Sequence, residues 1–339
     1  MNIQDELQTT IHALVQKGKG ILAVDESSPT IAKRFKTINV ESTEENRRSY
    51  RSLILATPDL GQFISGAILF EETLTQQNDD GIMLPELCTQ QGIVPGIKVD
   101  AGKLSLPNAP GDEITAGLDG LALRLEKYKK QGARFAKWRC VYHISNTTPS
   151  QLAIEANAGV LARYAAICQS QGIVPIVEPE VLIDGDHSLS RCAEVSEAVF
   201  HEVFHALHRY HVVLEHIVLK PNMMVPGKER TFKATPDEVA IQTVKVLRRT
   251  VPAAVPSINF LSGGLTPEKA TAYLNAMNQM SLQPWELTFS YGRALQEPAL
   301  KAWKGDSKNK QSTQAALYKR AKLNGAARYG KYNEAMESQ

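Results

Sequence analysis

Residues 148–180 read TPSQLAIEANAGVLARYAAICQSQGIVPIVEPE, a helical pattern that runs directly into an apolar strand. The helical part begins at Thr-Pro and ends at Gly172, which are typical start and stop signals. Its apolar residues recur about once per turn on a stripe formed by Leu152, Ala156, Val160, Tyr164 and Ile167. The strand is almost continuously apolar rather than alternating, which is typical of parallel strands buried on both faces. This stretch therefore predicts one unit of an α/β fold.

The same kind of unit recurs along the chain. Eight short apolar runs, each bounded by glycine, proline or polar residues, occupy residues 20–27, 66–72, 92–100, 135–140, 172–180, 212–222, 257–264 and 285–292. Helical segments at 235–252 and 266–280 also begin with Thr-Pro. Eight strand-then-helix units predict a closed (β/α)8 TIM barrel, a fold of about 250 residues before insertions. An open doubly wound sheet is the alternative, but polar residues at every strand end fit a closed barrel better.

We expect one domain over residues 1–339, in which residues from about 300 to 339 form a terminal helix and a mobile tail. Lys+Arg 38 against Asp+Glu 36 gives a net charge of +2, so neither nucleic acid nor an anionic membrane is expected as a partner. No apolar run approaches the roughly 20 residues of a membrane span, and the polar start MNIQDELQTT is unlike a signal peptide. Four scattered cysteines suit reduced thiols. These features predict a cytoplasmic protein.

Charged residues follow the predicted strands, at the edge where (β/α)8 enzymes build their active sites. They are Asp25, Lys98, Lys137, Arg139, Glu178, Glu180 and Lys220. An ion-pair network at the rim would explain part of this charge. It does not explain the glycines after the seventh and eighth runs, where exposed backbone N–H groups suit a phosphate. Those two segments are Ser262-Gly263-Gly264 and Ser290-Tyr291-Gly292-Arg293.

Lys220 ends the apolar run of VVLEHIVLKPN and is followed by Pro221. A lysine here either surfaces where the strand ends or serves as a nucleophile in a partly desolvated pocket. A lysine amine attacks a ketone only when neutral, and its free pKa of about 10.4 leaves it protonated at pH 7. Apolar surroundings and a second ammonium such as Lys137 both favour the neutral form. The resulting iminium would draw electrons from the adjacent carbon–carbon bond while a carboxylate takes a hydroxyl proton.

Basic residues on both sides of the barrel mouth would hold a substrate with a phosphate at each end. The residues thus predict retro-aldol cleavage of a ketose bisphosphate. Transaldolase is a neighbouring possibility, because it also forms a Schiff base on a barrel lysine, but it would not need the second phosphate cluster. A binding or scaffold role is a third possibility, and the intact set of charged residues argues against loss of catalysis.

The chain resembles the class I fructose-1,6-bisphosphate aldolases, the metal-independent Schiff-base type, over residues from about 18 to 303. The motifs that carry the resemblance, in the family's order, are GKGILAVDES, TEENRRSYR, ILFEETL, GIKVDAG, FAKWRC, QGIVPIVEPE, VLKPNM, FLSGG and LTFSYGRALQ. The resemblance implies a (β/α)8 homotetramer that interconverts fructose 1,6-bisphosphate with dihydroxyacetone phosphate and glyceraldehyde 3-phosphate in glycolysis and gluconeogenesis. It implies no metal ion and no other cofactor.

The same resemblance implies roles for individual residues. Lys220 matches the Schiff-base lysine, Glu178 the general acid/base, and Glu180 its neighbour in the lysine pocket. Lys137 matches the lysine that helps form and hydrolyse the carbinolamine. Asp25 matches the aspartate that orients the substrate and aids cleavage.

Two phosphate sites are implied in the same way. The site for the phosphate beside the ketone matches Ser262, Gly263, Gly264, Ser290, Gly292 and Arg293. The surroundings of the second phosphate match Ser27, Thr30, Arg34, Lys98 and Arg139, with Lys33 and Arg47 expected nearby. Thr30 stands where the family usually has serine, and Ser28-Pro29 replaces the usual Thr-Gly, which predicts a stiffer loop.

Two further features need an interpretation. His201-Glu-Val-Phe-His205 fits the zinc-protease pattern HExxH, but it lies in a crossover helix without an evident third ligand, so surface histidines are the preferred interpretation.

Eukaryotic members of the family carry a longer tail that ends in a catalytic tyrosine. Here only Tyr329 and Tyr332 lie this late. Either one of them reaches the barrel mouth, or Glu178 with a bound water moves the proton, which the shorter reach favours.

Overall fold

The computed structural model describes residues 2–338, and eight parallel strands within them close into a barrel. In order around the barrel the strands are β1 (Gly20–Val24), β2 (Ile64–Leu69), β3 (Val94–Lys98), β6 (Phe135–Tyr142), β7 (Val174–Val181), β8 (Val218–Leu219), β9 (Ser257–Phe260) and β10 (Glu286–Tyr291), which pairs with β1. A separate hairpin of β4 (Lys103–Ser105) and β5 (Glu113–Thr115) lies between β3 and β6. The predicted (β/α)8 barrel is confirmed.

Helices surround this barrel. They are α1 (Ile3–Leu14), α2 (Ser28–Lys36), α3 (Glu44–Leu55), α4 (Leu84–Gln90), α5 (Leu121–Lys130), α6 (Gln151–Ser170), α7 (Leu189–Arg209), α8 (Pro236–Thr250), α9 (Pro267–Gln279), α10 (Arg293–Trp303) and α11 (Lys310–Ala327). Two of the three Thr-Pro starts act as expected: Thr235 caps α8 in a capping box with Glu238, and Thr266 accepts from Lys269 N at the start of α9. Helix α6 instead begins after Thr148-Pro149, and Ser150 caps it by accepting from Ala153 N. No helix within residues 2–338 combines the length and apolar character that a membrane span requires.

The strand predicted over residues 212–222 is much shorter in the structure. Leu214–His216 form a 3₁₀ turn, and only Val218–Leu219 pair as β8. Pro221 cannot donate a ladder hydrogen bond and so cannot extend the strand. The short strand leaves Lys220 directly at the end of the barrel wall.

The buried face of α6 is also displaced from the predicted stripe. Of the five stripe residues only Tyr164 is fully buried, and Leu152 is 47% exposed. The helix is apolar around most of its circumference, so the pattern does not single out one face. The buried face, on a helix that packs against β6, β7 and α7, combines alanines with larger residues; it includes Ala153, Ile154, Ala158, Leu161, Ala162, Tyr164 and Ala165.

Helix α1, which the sequence pattern did not predict, covers the amino ends of the barrel strands. Asn2 caps it by accepting from Asp5 N at 2.9 Å. Leu7, Ile11 and Leu14 are buried with interior barrel residues such as Phe135 and Val174. Since these two begin β6 and β7, α1 fills the barrel at the end opposite to the predicted active site.

The segment after α11 differs from the expected mobile tail. Tyr332 is only 6% exposed, and its backbone N–H donates to Asn275 Oδ1 at 2.9 Å. Glu337 accepts from Arg320 at 2.6 Å and from the Tyr332 hydroxyl at 2.9 Å. One aromatic ring and one ion pair therefore hold a segment whose composition is otherwise polar.

Candidate active site

Lys220 lies in the barrel wall and is almost completely buried. Its side chain is 5% exposed, so it does not surface at the strand end. Its backbone N–H donates to Val177 O of β7 at 2.8 Å, and the Pro221 carbonyl accepts from Leu261 N at 3.0 Å. These bonds tie the lysine to both neighbouring strands and fix where its amine points.

A continuous chain of charges joins Lys220 to the opposite wall. Lys220 Nζ lies 3.2 Å from Glu178 Oε1, and Glu178 Oε2 lies 3.5 Å from Lys137 Nζ. Lys137 Nζ in turn lies 2.9 Å from Asp25 Oδ2. Asp25 and Lys220 directly follow β1 and β8, as the sequence predicted, whereas Lys137 and Glu178 lie within β6 and β7, which continue beyond them. A carboxylate between two amines can pass a proton to either.

Attraction between opposite charges sets the protonation states of these side chains. Burial lowers the pKa of Lys137, but the negative charges of Asp25, Glu178 and Asp100 outweigh it and hold that pKa well above its usual value. Burial raises the pKa of Asp25, but Lys137 and Lys220 bring it well below the ordinary carboxyl range. Lys137 is therefore an ammonium and Asp25 a carboxylate at neutral pH.

Glu180 lies beside this chain and pairs with Arg139. The distance from Arg139 Nη1 to Glu180 Oε2 is 3.0 Å. Burial raises the pKa of Glu180 against the opposing charge of the arginine, while Glu180 raises the pKa of Arg139. Glu180, expected beside the general acid/base Glu178, thus also pairs with Arg139, which is expected at the second phosphate.

The glycine turns expected beside the ketone phosphate converge on Arg293. Gly263 and Gly264 have φ of +50° and +90°, which L side chains rarely adopt. A Cβ at Gly264 would lie 3.6 Å from Arg293 Nη1. Ser262 and Ser290 are buried nearby, and the Ser290 hydroxyl has no hydrogen-bond partner in the described part of the chain. Arg293 and the two serines therefore supply hydrogen-bond donors beside the glycine turns.

The cations expected at the second phosphate are paired with carboxylates. Lys98 Nζ lies 2.7 Å from Asp100 Oδ1, and Arg34 pairs with buried Glu26. Arg34 also borders the other phosphate turn, because a Cβ at Gly292 would lie 3.8 Å from Arg34 Nη2. The structure therefore places Arg34 between the two predicted sets of phosphate-binding residues.

The remaining members of the second group are less enclosed. Ser27 is half-buried, and its Oγ lies 3.1 Å from Oγ1 of exposed Thr30. Lys33 is exposed, and Arg47 pairs with Glu72 at 2.5 Å. The second phosphate region is thus more open than the glycine turns.

Two buried residues belong to the site although the sequence analysis gave them no role. Asp100 bridges Lys98 and Lys137, and its signal was its place in the quoted motif GIKVDAG. Asn222, in VLKPNM, accepts from Val181 N at 3.0 Å and donates to Ser196 Oγ at 3.3 Å. Asn222 therefore ties the segment after Lys220 to the end of β7.

The features that required interpretation lie away from this site. His201 and His205 are exposed on α7, and no group of three or more His, Cys, Asp or Glu that could hold a metal occurs within residues 2–338. Tyr329 lies against Gly18, before β1, and Tyr332 lies against α9. Neither tail tyrosine is at the carboxyl ends of the strands.

A (β/α)8 barrel with paired lysines and carboxylates at one mouth, beside two glycine turns, defines an enzyme of lysine-centred chemistry on a phosphorylated substrate. The model of the family "Fructose-bisphosphate aldolase class-I" matches residues 6–339. The chain belongs to this family and is a carbon–carbon lyase.

Similar proteins agree over nearly the whole chain. A probable fructose-bisphosphate aldolase class 1 of Xylella fastidiosa is 53% identical over 329 residues, 97% of this chain and 98% of that protein. The cytosolic fructose-bisphosphate aldolase 4 of Arabidopsis thaliana is 53% identical over 316 residues, 93% of this chain and 80% of that protein. The solved structure of Plasmodium falciparum fructose-bisphosphate aldolase, in complex with TRAP and a small-molecule inhibitor, has a TM-score of 0.96 at 51% identity, covering 98% of this chain and 96% of that chain.

Proposed function

We propose that this protein cleaves fructose 1,6-bisphosphate reversibly to dihydroxyacetone phosphate and glyceraldehyde 3-phosphate through a Schiff base on Lys220. One observation carries the assignment: buried Lys220 lies 3.2 Å from Glu178, which lies 3.5 Å from Lys137. A neutral amine at Lys220 adds to the substrate ketone, and loss of water from the carbinolamine gives the iminium. Glu178 exchanges protons with the carbinolamine oxygen, because it contacts both amines.

Cleavage of the carbon–carbon bond follows from the charge on the iminium. Electrons of the bond move to the iminium nitrogen, which leaves an enamine, while the hydroxyl proton goes to a carboxylate and the aldehyde departs. Asp25, held ionised by Lys137 at 2.9 Å, orients that hydroxyl. Glu178 takes the proton and, with a bound water, delivers one to the enamine carbon, so this step needs no tail tyrosine.

The two phosphates orient the substrate across the mouth. The phosphate beside the ketone binds the donors of the glycine turns, formed by Ser262, Gly263, Gly264, Ser290, Gly292 and Arg293. The second phosphate binds the group of Ser27, Thr30, Arg34, Lys98 and Arg139. When this phosphate binds, Lys98 must leave Asp100 and Arg34 must leave Glu26, so that both cations contact the phosphate instead.

Reductive trapping tests the Schiff base. Borohydride added with dihydroxyacetone phosphate reduces the iminium, so it is expected to inactivate the enzyme and to leave a three-carbon phosphate adduct on the peptide that contains Lys220. Lys220→Ala should abolish trapping, whereas Lys130→Ala, at a lysine with a 73% exposed side chain on α5, should not change it. An adduct on Lys137 instead would overturn the assignment. Turnover should persist in EDTA, and loss of activity that zinc restores would contradict the lysine mechanism.

We further propose a cytoplasmic homotetramer that acts in glycolysis and gluconeogenesis. The name of the Arabidopsis relative, which states that it is cytosolic, supports the compartment. The homotetramer is what the resemblance to the family implies. Light scattering on the eluted enzyme is expected to give four times 37.3 kDa. A mass of one or two chains would contradict the tetramer.

A further inference from the structure

Asp100 lies in the loop after β3, within the cluster of lysines, and the proposed steps leave it without a task. Its Oδ1 and its backbone carbonyl both accept from Lys98 Nζ, each at 2.7 Å. Its other oxygen, Oδ2, has no hydrogen-bond partner among residues 2–338 and lies 3.8 Å from Lys137 Nζ. The side chain is 5% exposed. A buried carboxylate oxygen without a hydrogen bond is costly unless a nearby cation compensates it.

Three carboxylates surround Lys137. Asp25 from the end of β1 lies 2.9 Å from its Nζ, Glu178 from β7 lies at 3.5 Å, and Asp100 lies at 3.8 Å. Among the cations, Arg139 on the same strand opposes the charge of Lys137, while Lys98 on β3 pairs with Asp100 and Lys220, directly after β8, pairs with Glu178. Three negative charges therefore favour the ammonium form of Lys137 against three positive ones.

The three carboxylates differ in what else they contact. Glu178 contacts Lys220, so it faces the reacting amine, and the Asp25 side chain is 14% exposed toward the mouth. Asp100 is the one of the three that also binds Lys98. When the substrate hydroxyl or the carbinolamine protonates Glu178, Lys137 loses one of its negative neighbours, and Asp25 and Asp100 remain.

We propose that Asp100 is a positioning residue that keeps Lys137 protonated while Glu178 exchanges protons with the substrate and with Lys220. The proposal rests on the proposed function, since it assumes that Lys137 acts as an ammonium in the carbinolamine steps. Without the Asp100 charge, Lys137 would lose its proton at a lower pH, and turnover would be lost with it.

Asp100→Asn tests this proposal, because the asparagine Oδ1 can still accept from Lys98 while the negative charge and the oxygen that face Lys137 are lost. The alkaline limb of the pH profile of kcat is expected to move to lower pH by about one unit or more. The KM for fructose 1,6-bisphosphate should change less than about threefold, since an uncharged acceptor remains for Lys98. Asp100→Glu keeps the charge and should keep the limb of the parent enzyme.

Asp112→Asn is the matched control, at another buried aspartate of the connection between β3 and α5. Asp112 accepts from Ser150 N at 3.0 Å and lies outside the lysine cluster. Its profile should superimpose on that of the parent. A raised KM for Asp100→Asn with an unchanged profile would mean that Asp100 only holds Lys98, and would overturn the proposal.

A limb lowered by about one unit in Asp100→Glu would also overturn it, so the test does not depend on the folding of Asp100→Asn. Borohydride trapping in the parent separates the two proposals. Loss of trapping in the parent refutes the Schiff base on Lys220, whereas trapping in the parent with unshifted variants refutes only the role of Asp100.

Discussion

Charge at the barrel mouth is balanced residue by residue. The negative members are Asp25, Asp100, Glu178 and Glu180, and the positive members are Lys98, Lys137, Arg139 and Lys220. Each member lies within 3.2 Å of at least one opposite charge, and Lys137 lies within 3.8 Å of three. Removal of one partner from a buried pair leaves an uncompensated charge, which costs more than the pair contributes. Substitutions here should therefore alter both stability and chemistry, and activity alone is an insufficient measurement.

Arg293 borders the glycine turns, and its loss should weaken binding of the phosphate beside the ketone. A charge-assisted contact of about 1.5–3 kcal/mol corresponds to a roughly 10- to 150-fold effect. Arg293→Ala is therefore expected to raise the KM for both fructose 1,6-bisphosphate and fructose 1-phosphate by that factor in steady-state assays. Arg191→Ala, at a half-exposed arginine on α7, is the control that should leave both constants unchanged. Equal KM values for Arg293→Ala and the parent would refute this placement.

The four cysteines should be inert in the folded enzyme. All are buried, and burial raises the pKa of Cys88 and Cys140 to about 12 and that of Cys192 to about 11. The thiolate is the reactive form, so a raised pKa lowers reactivity at every pH below it. At pH 8 a disulfide reagent such as DTNB is expected to react with no thiol quickly in native enzyme and with four in denaturant. A fast-reacting thiol in native enzyme would show that one of these side chains is accessible.

At the level of the element, α1 contributes to stability at the end of the barrel that is remote from the catalytic residues. It packs Leu7, Ile11 and Leu14 into the amino end of the barrel, and the charged cluster lies at the carboxyl ends. Ser65 Oγ donates to Leu14 O at 2.7 Å, which joins the end of α1 to β2. The helix therefore contributes to the core at the end of the barrel opposite to the charged cluster.

Ile11→Ala should destabilise the fold and spare the chemistry. Ile11 is 3% exposed, and truncation of a buried isoleucine typically costs about 2–5 kcal/mol of unfolding free energy. Urea denaturation at fixed protein concentration should show this loss, while kcat of the folded variant stays within about twofold of the parent because the site is at the other end. The control is Leu123→Ala on α5, where the side chain is 74% exposed and the change should be within about 0.5 kcal/mol. A large fall in kcat would mean that α1 shapes the active site.

In the whole molecule, the chain end returns along the barrel and docks between α9 and α11. Arg320 of α11 donates to Pro267 O at 2.9 Å and to Glu337 at 2.6 Å, so the start of α9 and the tail share one guanidinium. Arg328 donates to the carbonyls of Gln16 and Lys19, which fixes the tail near the amino end of β1. The tail therefore contributes contacts to the fold, at a distance from the lysines.

Truncation before residue 333 should lower stability without abolishing catalysis. It keeps Tyr332 but removes Glu337, the partner of Arg320, whose side chain is 4% exposed. Because Glu337 is partly exposed, the expected loss is about 1–3 kcal/mol, seen as a lower Tm. Turnover and proton exchange on dihydroxyacetone phosphate should change less than about tenfold, or 1.4 kcal/mol of barrier. Glu334→Gln, at an exposed tail residue, is the control. Collapse of exchange with retained trapping at Lys220 would show that the tail is catalytic.

Much of the fold follows from local pattern. Parallel strands buried on both faces need continuous apolar runs, and crossover helices need caps, so eight strands could be located from residues 20–292 alone. The chemistry at the strand ends could also be predicted, because the closure of a barrel brings those ends together whatever lies between them. The face of α6 could not, since a helix that is apolar on most sides leaves its orientation to its neighbours.

Only the tertiary structure decided which charged side chains pair with one another. The pairing of Asp25 with Lys137, the contact of Asp100 with Lys137, and the position of Arg34 near Gly292 depend on distances between residues far apart in the chain. The docking of α1 and of the tail is equally non-local. A period or a motif records what one segment prefers, whereas an ion pair or a packed end depends on where the closed barrel brings two segments into contact.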